Sequence, residues 1–194
     1  MKTTKYILTV LIVLGLLAFV VFHLIPQTTG SSSEKQTSNV SQASGNNVTQ
    51  SEAVSTVPGF SLKNLDGREE QLKDYTGNLI LVNFWASWCG PCNEEAPSME
   101  KMYREFRNKG LVVIGISIDH HVSQVKNFVK QYSITFPILL DTNETVASAY
   151  GITGVPETFI LDRDYKLIKH IIGPLDWTSP DVTNYLTQLL KGER

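Results

Sequence analysis

Two cysteines, Cys89 and Cys92, are the only thiols in the 194-residue chain, and they sit in the run Phe84-Trp85-Ala86-Ser87-Trp88-Cys89-Gly90-Pro91-Cys92. A single pair cannot build a multi-bridge scaffold, nor supply a four-ligand zinc site by itself. No second Cys-x-x-Cys and no histidine pair at ligand spacing accompanies it. As an inert staple, a bridge across so small a loop would contribute little, because the stabilisation grows with loop length. The chemistry that fits is thiol–disulfide exchange: one thiolate attacks a substrate disulfide, and the second resolves the mixed disulfide.

That chemistry needs the two sulfurs in different settings. Asn78 to Ala86 is a short apolar run with β-branched and aromatic residues, the pattern of a buried strand, and a helical pattern follows from Pro91 to Asn108. Cys89 therefore falls at a helix N-terminus and at the surface, where unpaired N–H groups and the helix dipole stabilise a thiolate. Cys92 lies one turn further in. Pro91 has no N–H to lose in the first turn, and Gly90 lets the backbone bend between the sulfurs. The spacing assigns attack to Cys89 and resolution to Cys92. Trp85 and Trp88 are read as packing and shaping the surface around them.

The elements that must hold this junction follow in order. Phe60 to Leu62, Asp66-Gly67 and Gln71-Leu72 read as strand, turn and second short strand or helix start. Leu111 to Ile118 and Phe136 to Leu140 read as strands, Val122 to Tyr132 and Glu144 to Tyr150 as helices. Glu157 to Asp162 and Lys166 to Ile172 read as a hairpin, and Pro180 to Leu190 as a closing helix. The order β-α-β-α-β-α-β-β-α, after an N-terminal strand extension, implies an α/β domain with a mixed, largely parallel sheet covered on both faces. His120 and His121 fall in a loop as exposed residues.

Residues 58–194 make up this domain. Before it, residues 26–57 are rich in Ser, Thr, Asn, Gln and Gly with no periodicity, a flexible polar linker with a reach of roughly 30 Å. Residues 6–25 form an apolar run of 20 whose only clearly polar members are Thr9 and His23. As a helix it would span about 30 Å, the thickness of a bilayer's hydrocarbon. A cleaved secretory signal would have a shorter apolar core and a small-x-small site, so the reading is an uncleaved transmembrane signal-anchor. Lys2 and Lys5 leave residues 1–5 in the cytoplasm by the positive-inside rule and put the domain on the extracytoplasmic side of the cell membrane. A formal net charge of -2 gives no attraction to nucleic acid, and none is expected as a partner.

The run Val82-Asn83-Phe84-Trp85-Ala86-Ser87-Trp88-Cys89-Gly90-Pro91-Cys92-Asn93-Glu94-Glu95-Ala96-Pro97, with Gly154-Val155-Pro156-Glu157-Thr158-Phe159-Ile160-Leu161-Asp162 and the two-strand extension, resembles the thioredoxin superfamily. Within it the likeness is to the membrane-tethered ResA/TlpA-like thiol-disulfide oxidoreductases, over roughly Phe60 to Leu190. The resemblance implies a thioredoxin-like fold with no cofactor beyond the redox-active disulfide. It implies a cis Val155-Pro156 bond, which from the residues alone could be an ordinary turn, and it places Trp88, Gly90, Pro91, Val155 and Pro156 against the substrate. Pro97 is implied as a helix kink. Thioredoxins carry an aspartate where this chain has Asn83, so another group must take the proton of Cys92. At about 100° per residue Glu95 lies about 300° from Cys92 on a neighbouring face, and Glu94 about 200° away on the opposite side. Glu95 also matches the glutamate of ResA-like proteins; the alternative is a solvated helix residue.

The expected activity is reduction of disulfides in exported proteins, with apocytochrome c as one client implied by the resemblance, and with electrons from a membrane thiol donor of the CcdA/DsbD type. Two enzymes stand as alternatives: a disulfide-forming oxidase of the same fold, and a thiol peroxidase, whose Pro-x-x-x-Thr/Ser-x-x-Cys setting the residues before Cys89 lack. A non-enzymatic binding or chaperone module retaining the motif is the third.

Overall fold

The computed structural model describes residues 56–192. The expected anchor over residues 6–25, the cytoplasmic residues 1–5 and nearly all of the linker lie outside them. Among the described residues no helix is long and apolar enough to cross a membrane.

Seven strands form one sheet: β1 Ser61–Asn64, β2 Glu69–Gln71, β3 Leu79–Trp85, β4 Leu111–Ser117, β5 Ile138–Leu140, β6 Glu157–Asp162 and β7 Leu167–Ile172, in the spatial order β2-β1-β5-β4-β3-β6-β7. Among the described residues four α-helices accompany them: α1 Gly90–Phe106, α2 Val122–Gln131, α3 Thr145–Ala149 and α4 Pro180–Lys191. A 3-10 turn at Leu72–Asp74 follows β2.

The expectation of a largely parallel sheet is corrected. Only β3 with β4 and β4 with β5 run parallel; the other four neighbouring pairs are antiparallel. The connection from β5 to β6 holds only the five-residue α3, and β6 starts at the end of the sheet where β5 stops and runs back along β3. The two terminal hairpins, β1 with β2 and β6 with β7, and the pairing of β1 with β5 make the other three antiparallel pairs.

β3 is buried over its whole length because it has a neighbour on each side and helices on both faces. Successive side chains point to opposite faces. Phe84 meets Tyr150, just past α3, with ring centroids 5.1 Å apart, and Phe159 of β6 at 6.0 Å. Trp85 points the other way, against Phe128 of α2 at 4.2 Å. The strand thus ends fixed from both sides just where the cysteine-bearing helix begins. α1 continues through Pro97 to Phe106, and a 3-10 turn then leads to Gly110, whose φ of 99° closes the helix in a conformation that favours glycine.

Phe84→Ala should lower the free energy of unfolding by about 3–5 kcal/mol, since it empties a fully enclosed aromatic site. Urea denaturation of the oxidised domain measures it.

Candidate active site

The turn between β3 and α1 is held by groups that satisfy its backbone. The Cys89 N–H donates to the Ala86 carbonyl at 3.2 Å. Buried Asp119, just past β4, accepts from the Ser87 N–H at 2.9 Å, from the Ser87 hydroxyl at 2.6 Å and from the Ser117 hydroxyl at 2.8 Å. From the helix side, the Asn93 amide donates to the carbonyls of Ser87 (3.1 Å) and Cys89 (2.6 Å), and the Tyr132 hydroxyl donates to Asn93 Oδ1 at 2.9 Å. A sharp turn with its polar groups paired in this way is preorganised.

Cys89 and Cys92 are joined as a disulfide. Cys89 caps the helix, its Sγ accepting the Cys92 N–H at 3.1 Å. The expectation that Cys89 lies at the surface is corrected: the residue is 5 % exposed, against 3 % for Cys92. The Val155 carbonyl lies 3.3 Å from Cys89 Sγ, while the flanking Trp88 is 66 % exposed. What distinguishes the two sulfurs is the space each borders. Cys89 borders an open cleft of about 720 Å³ together with Trp88, Gly90, Pro91, Ile152 and Val155. Cys92 borders a small cavity of about 20 Å³ among buried residues on the inner side, shared with Asn83, Trp85 and Glu95.

Glu95 is 4 % exposed and has no Lys or Arg partner among the described residues. Its Oε1 accepts from the Trp177 indole N–H at 2.6 Å and from the Leu175 N–H at 3.1 Å, both on the segment between β7 and α4. Burial pushes its pKa up to about 7, although the bonds from Trp177, Leu175 and Asn83 pull it down. Glu95 is therefore a carboxyl group, bordering the cavity that Cys92 borders, able to gain or lose a proton near neutrality. Glu94 is exposed, as the helical count requires.

The structure brings together Cys89, Cys92, Trp88, Gly90, Pro91 and Val155 around one cleft or its disulfide, and sets Glu95 behind them. The Val155-Pro156 bond is cis. Pro156 is buried and does not line the cleft; it presents Val155 to it. His120 is exposed in its loop, with Nδ1 3.0 Å from the Thr142 carbonyl. The sequence reading missed Asp119, Asn93, Trp177 and Glu157. An acid at the end of a parallel strand, and another directly after the Gly-x-Pro turn, were signals for two of them. Nothing local marks Trp177 as a partner of Glu95, 82 positions earlier.

Residues 54–170 match the AhpC/TSA family. The thiol-disulfide oxidoreductase ResA of Bacillus thuringiensis (strain Al Hakam) is 35 % identical over 132 residues, 68 % of this chain and 75 % of that protein. ResA of Bacillus subtilis (strain 168) is 32 % identical over 139 residues, 72 % of this chain and 76 % of that protein. Among solved structures, a putative thiol:disulfide interchange protein DsbE from Chlorobium tepidum superposes with a TM-score of 0.61 at 29 % identity, over 71 % of this chain and 94 % of its own.

The raised pKa of Glu95 has a definite sign for stability. The folded protein binds this proton more tightly than the unfolded chain, whose carboxyl titrates near 4.5. Its contribution to stability is thus complete below pH 4.5 and lost as pH rises through about 7, a swing on the order of 3 kcal/mol. Glu95→Gln should remove that part of the dependence. Unfolding free energies of both proteins between pH 4.5 and 8 test it, and parallel curves would show that Glu95 does not titrate in this range.

Proposed function

The chain belongs to the AhpC/TSA family and is a thiol-disulfide oxidoreductase of the ResA/DsbE type, and from that premise we propose that it works as a reductase of disulfides in exported proteins. The observation that carries this reading is the split environment of the pair, with Cys89 on the open cleft and Cys92 on the enclosed side next to Glu95.

In the proposed cycle the reduced protein meets a client segment lying in the cleft along Val155. The Cys89 thiolate attacks one client sulfur, a protein–client S–S bond forms, and the client's other sulfur leaves as a thiolate. Cys92 loses its proton to Glu95, its thiolate attacks Cys89 Sγ and releases the first client sulfur as a thiolate, Glu95 then gives its proton up to solvent, and the two client thiolates are protonated from solvent. The client gains two electrons and two protons, and the protein is left as the disulfide. A dithiol donor of the CcdA/DsbD type returns it to the reduced form. Trp88, Gly90, Pro91 and Val155 contact the client, and Pro156 sets Val155. No cofactor takes part beyond the cysteine pair.

Apocytochrome c is the client this reading names, and the domain acts outside the cytoplasm, tethered by residues 6–25 and the linker that follows. The support is the likeness to the ResA proteins together with the apolar run and the lysines before it. An alkaline phosphatase fusion after Val57 should be active, with the protein in the membrane fraction. Recovery of a soluble protein beginning near Gln27 would instead establish a cleaved signal.

The order of attack has its own test. Cys92→Ser should accumulate mixed disulfides with clients on non-reducing gels, because the resolving thiolate is gone, and Cys89→Ser should accumulate none. The reverse pattern would exchange the two roles, and mass spectrometry of the trapped species identifies the client.

A further inference from the structure

Glu157, the first residue of β6, is a buried carboxylate that the exchange reaction does not use. It is 1 % exposed and has no Lys or Arg partner among the described residues. Oε1 accepts three bonds from one short stretch: the Thr153 N–H at 2.9 Å, the Gly154 N–H at 3.1 Å and the Thr153 hydroxyl at 3.2 Å. Oε2 lies 2.7 Å from His170 Nε2 on β7. The His170 ring in turn stacks on Phe159, centroids 4.1 Å apart and planes within 17°.

A buried anion is costly, and as a device for stability alone it does no better than a well-packed neutral group. What it does well is orient donors. Two consecutive backbone N–H groups converging on one oxygen fix both peptide planes, and because those peptides are planar the carbonyls of Ile152 and Thr153 are turned away from Glu157. The residues so held, Ile152 to Val155, are one wall of the cleft beside Cys89. The far end of the clamp is rigid: Glu157 pairs with Phe84 of β3 and Ile172 of β7, and His170 pairs with Phe159. Burial raises the Glu157 pKa, but the bonds from Thr153, His170 and Gly154 outweigh it and hold the group below the usual carboxylate range, so the clamp stays charged.

We propose that Glu157 and His170 are positioning residues for client binding: they tie the Thr153–Val155 lip of the cleft to the sheet and so set the backbone against which an extended client segment lies. The inference rests on the proposed function for the identity of the ligand, a disulfide within an extended polypeptide. It assigns no chemical step to either residue. A small disulfide, which reaches Cys89 without lying along the lip, depends on the clamp far less than a peptide does.

The test uses Glu157→Gln, His170→Phe and His170→Gln in the reduced protein. Two oxidised substrates are compared, a short synthetic peptide closed by one internal disulfide and a small aromatic disulfide. Glu157→Gln replaces charge-assisted bonds by neutral ones and should lower kcat/KM for the peptide about tenfold, mainly through KM, with a much smaller loss on the aromatic disulfide. His170→Phe keeps the ring stack, loses the bond and should act in the same direction. His170→Gln, which restores a donor, should recover part of the loss. Amide hydrogen exchange gives a second readout independent of turnover: Thr153 and Gly154 should exchange faster in Glu157→Gln while amides of β3 hold. Equal losses on both substrates, or unchanged exchange at Thr153 and Gly154, would overturn the clamp. A wild-type protein that reduces the aromatic disulfide but not the peptide would count against the proposed function, and the exchange result alone then decides the clamp.

Discussion

The arrangement depends on a carboxyl group held inside the protein with no Lys or Arg partner among the described residues. Glu95 lies behind the disulfide, and the desolvation that this entails must be offset by hydrogen bonds. They come from the segment after β7, which brings the Leu175 N–H and the Trp177 indole to one oxygen. Trp177 is itself fully buried. The same segment is tied at a second point, where Ser98 one turn along α1 accepts the Trp177 N–H at 3.2 Å. Thus the acid joins the cysteine-bearing helix to the C-terminal part of the chain. Its position one turn from Cys92 is a consequence of packing as much as of helical spacing.

The remainder of the site follows from the way a parallel strand hands over to a helix. The first N–H groups of a helix lack intrahelical partners. Here the cap is a sulfur, with Cys89 Sγ accepting from Cys92, so the reactive atom and the structural cap are one. A turn built this way needs its other polar groups satisfied from outside, and two further buried side chains do that on either flank. Asp119 holds Ser87 on the strand side, and Glu157 holds Thr153 and Gly154 on the opposite lip. Both acids lie at strand ends, where the sheet stops pairing and backbone groups would otherwise be left open.

How much of this was legible in the sequence divides along the range of the interactions. The junction at Cys89 and the helix through Phe106 were readable because period, proline and glycine act within a turn of the chain. Glu95 was readable as a candidate from helical geometry and from the family likeness together. Strand direction was not: β6 pairs antiparallel with β3, and alternating patterns of strands and helices do not encode the direction of a pairing. Nor was the partner of Glu95: an indole 82 positions away carries no local sign of its target. The depth of Cys89 was not legible either, because a residue that caps a helix need not be exposed: its sulfur lies 3.3 Å from the Val155 carbonyl and the residue is buried.

The electrostatics around the pair bear on the direction of exchange. A protein that stabilises its reduced thiolate strongly is an oxidant, because reduction is then favourable. The helix terminus, through the Cys92 N–H, acts in that sense at Cys89. Two features oppose it. The Val155 carbonyl oxygen, 3.3 Å from the same sulfur, is an acceptor and offers no hydrogen bond to a thiolate. On the inner side, any negative charge on Cys92 would share its enclosure with Glu95, whose own pKa near 7 reflects how poorly that region supports an anion. Deprotonating Cys92 is then easiest when Glu95 takes up the proton, so that one negative charge occupies the enclosure at a time. Such coupling disfavours a standing negative charge on Cys92, which weighs toward the reducing role proposed for the pair over that of an oxidase.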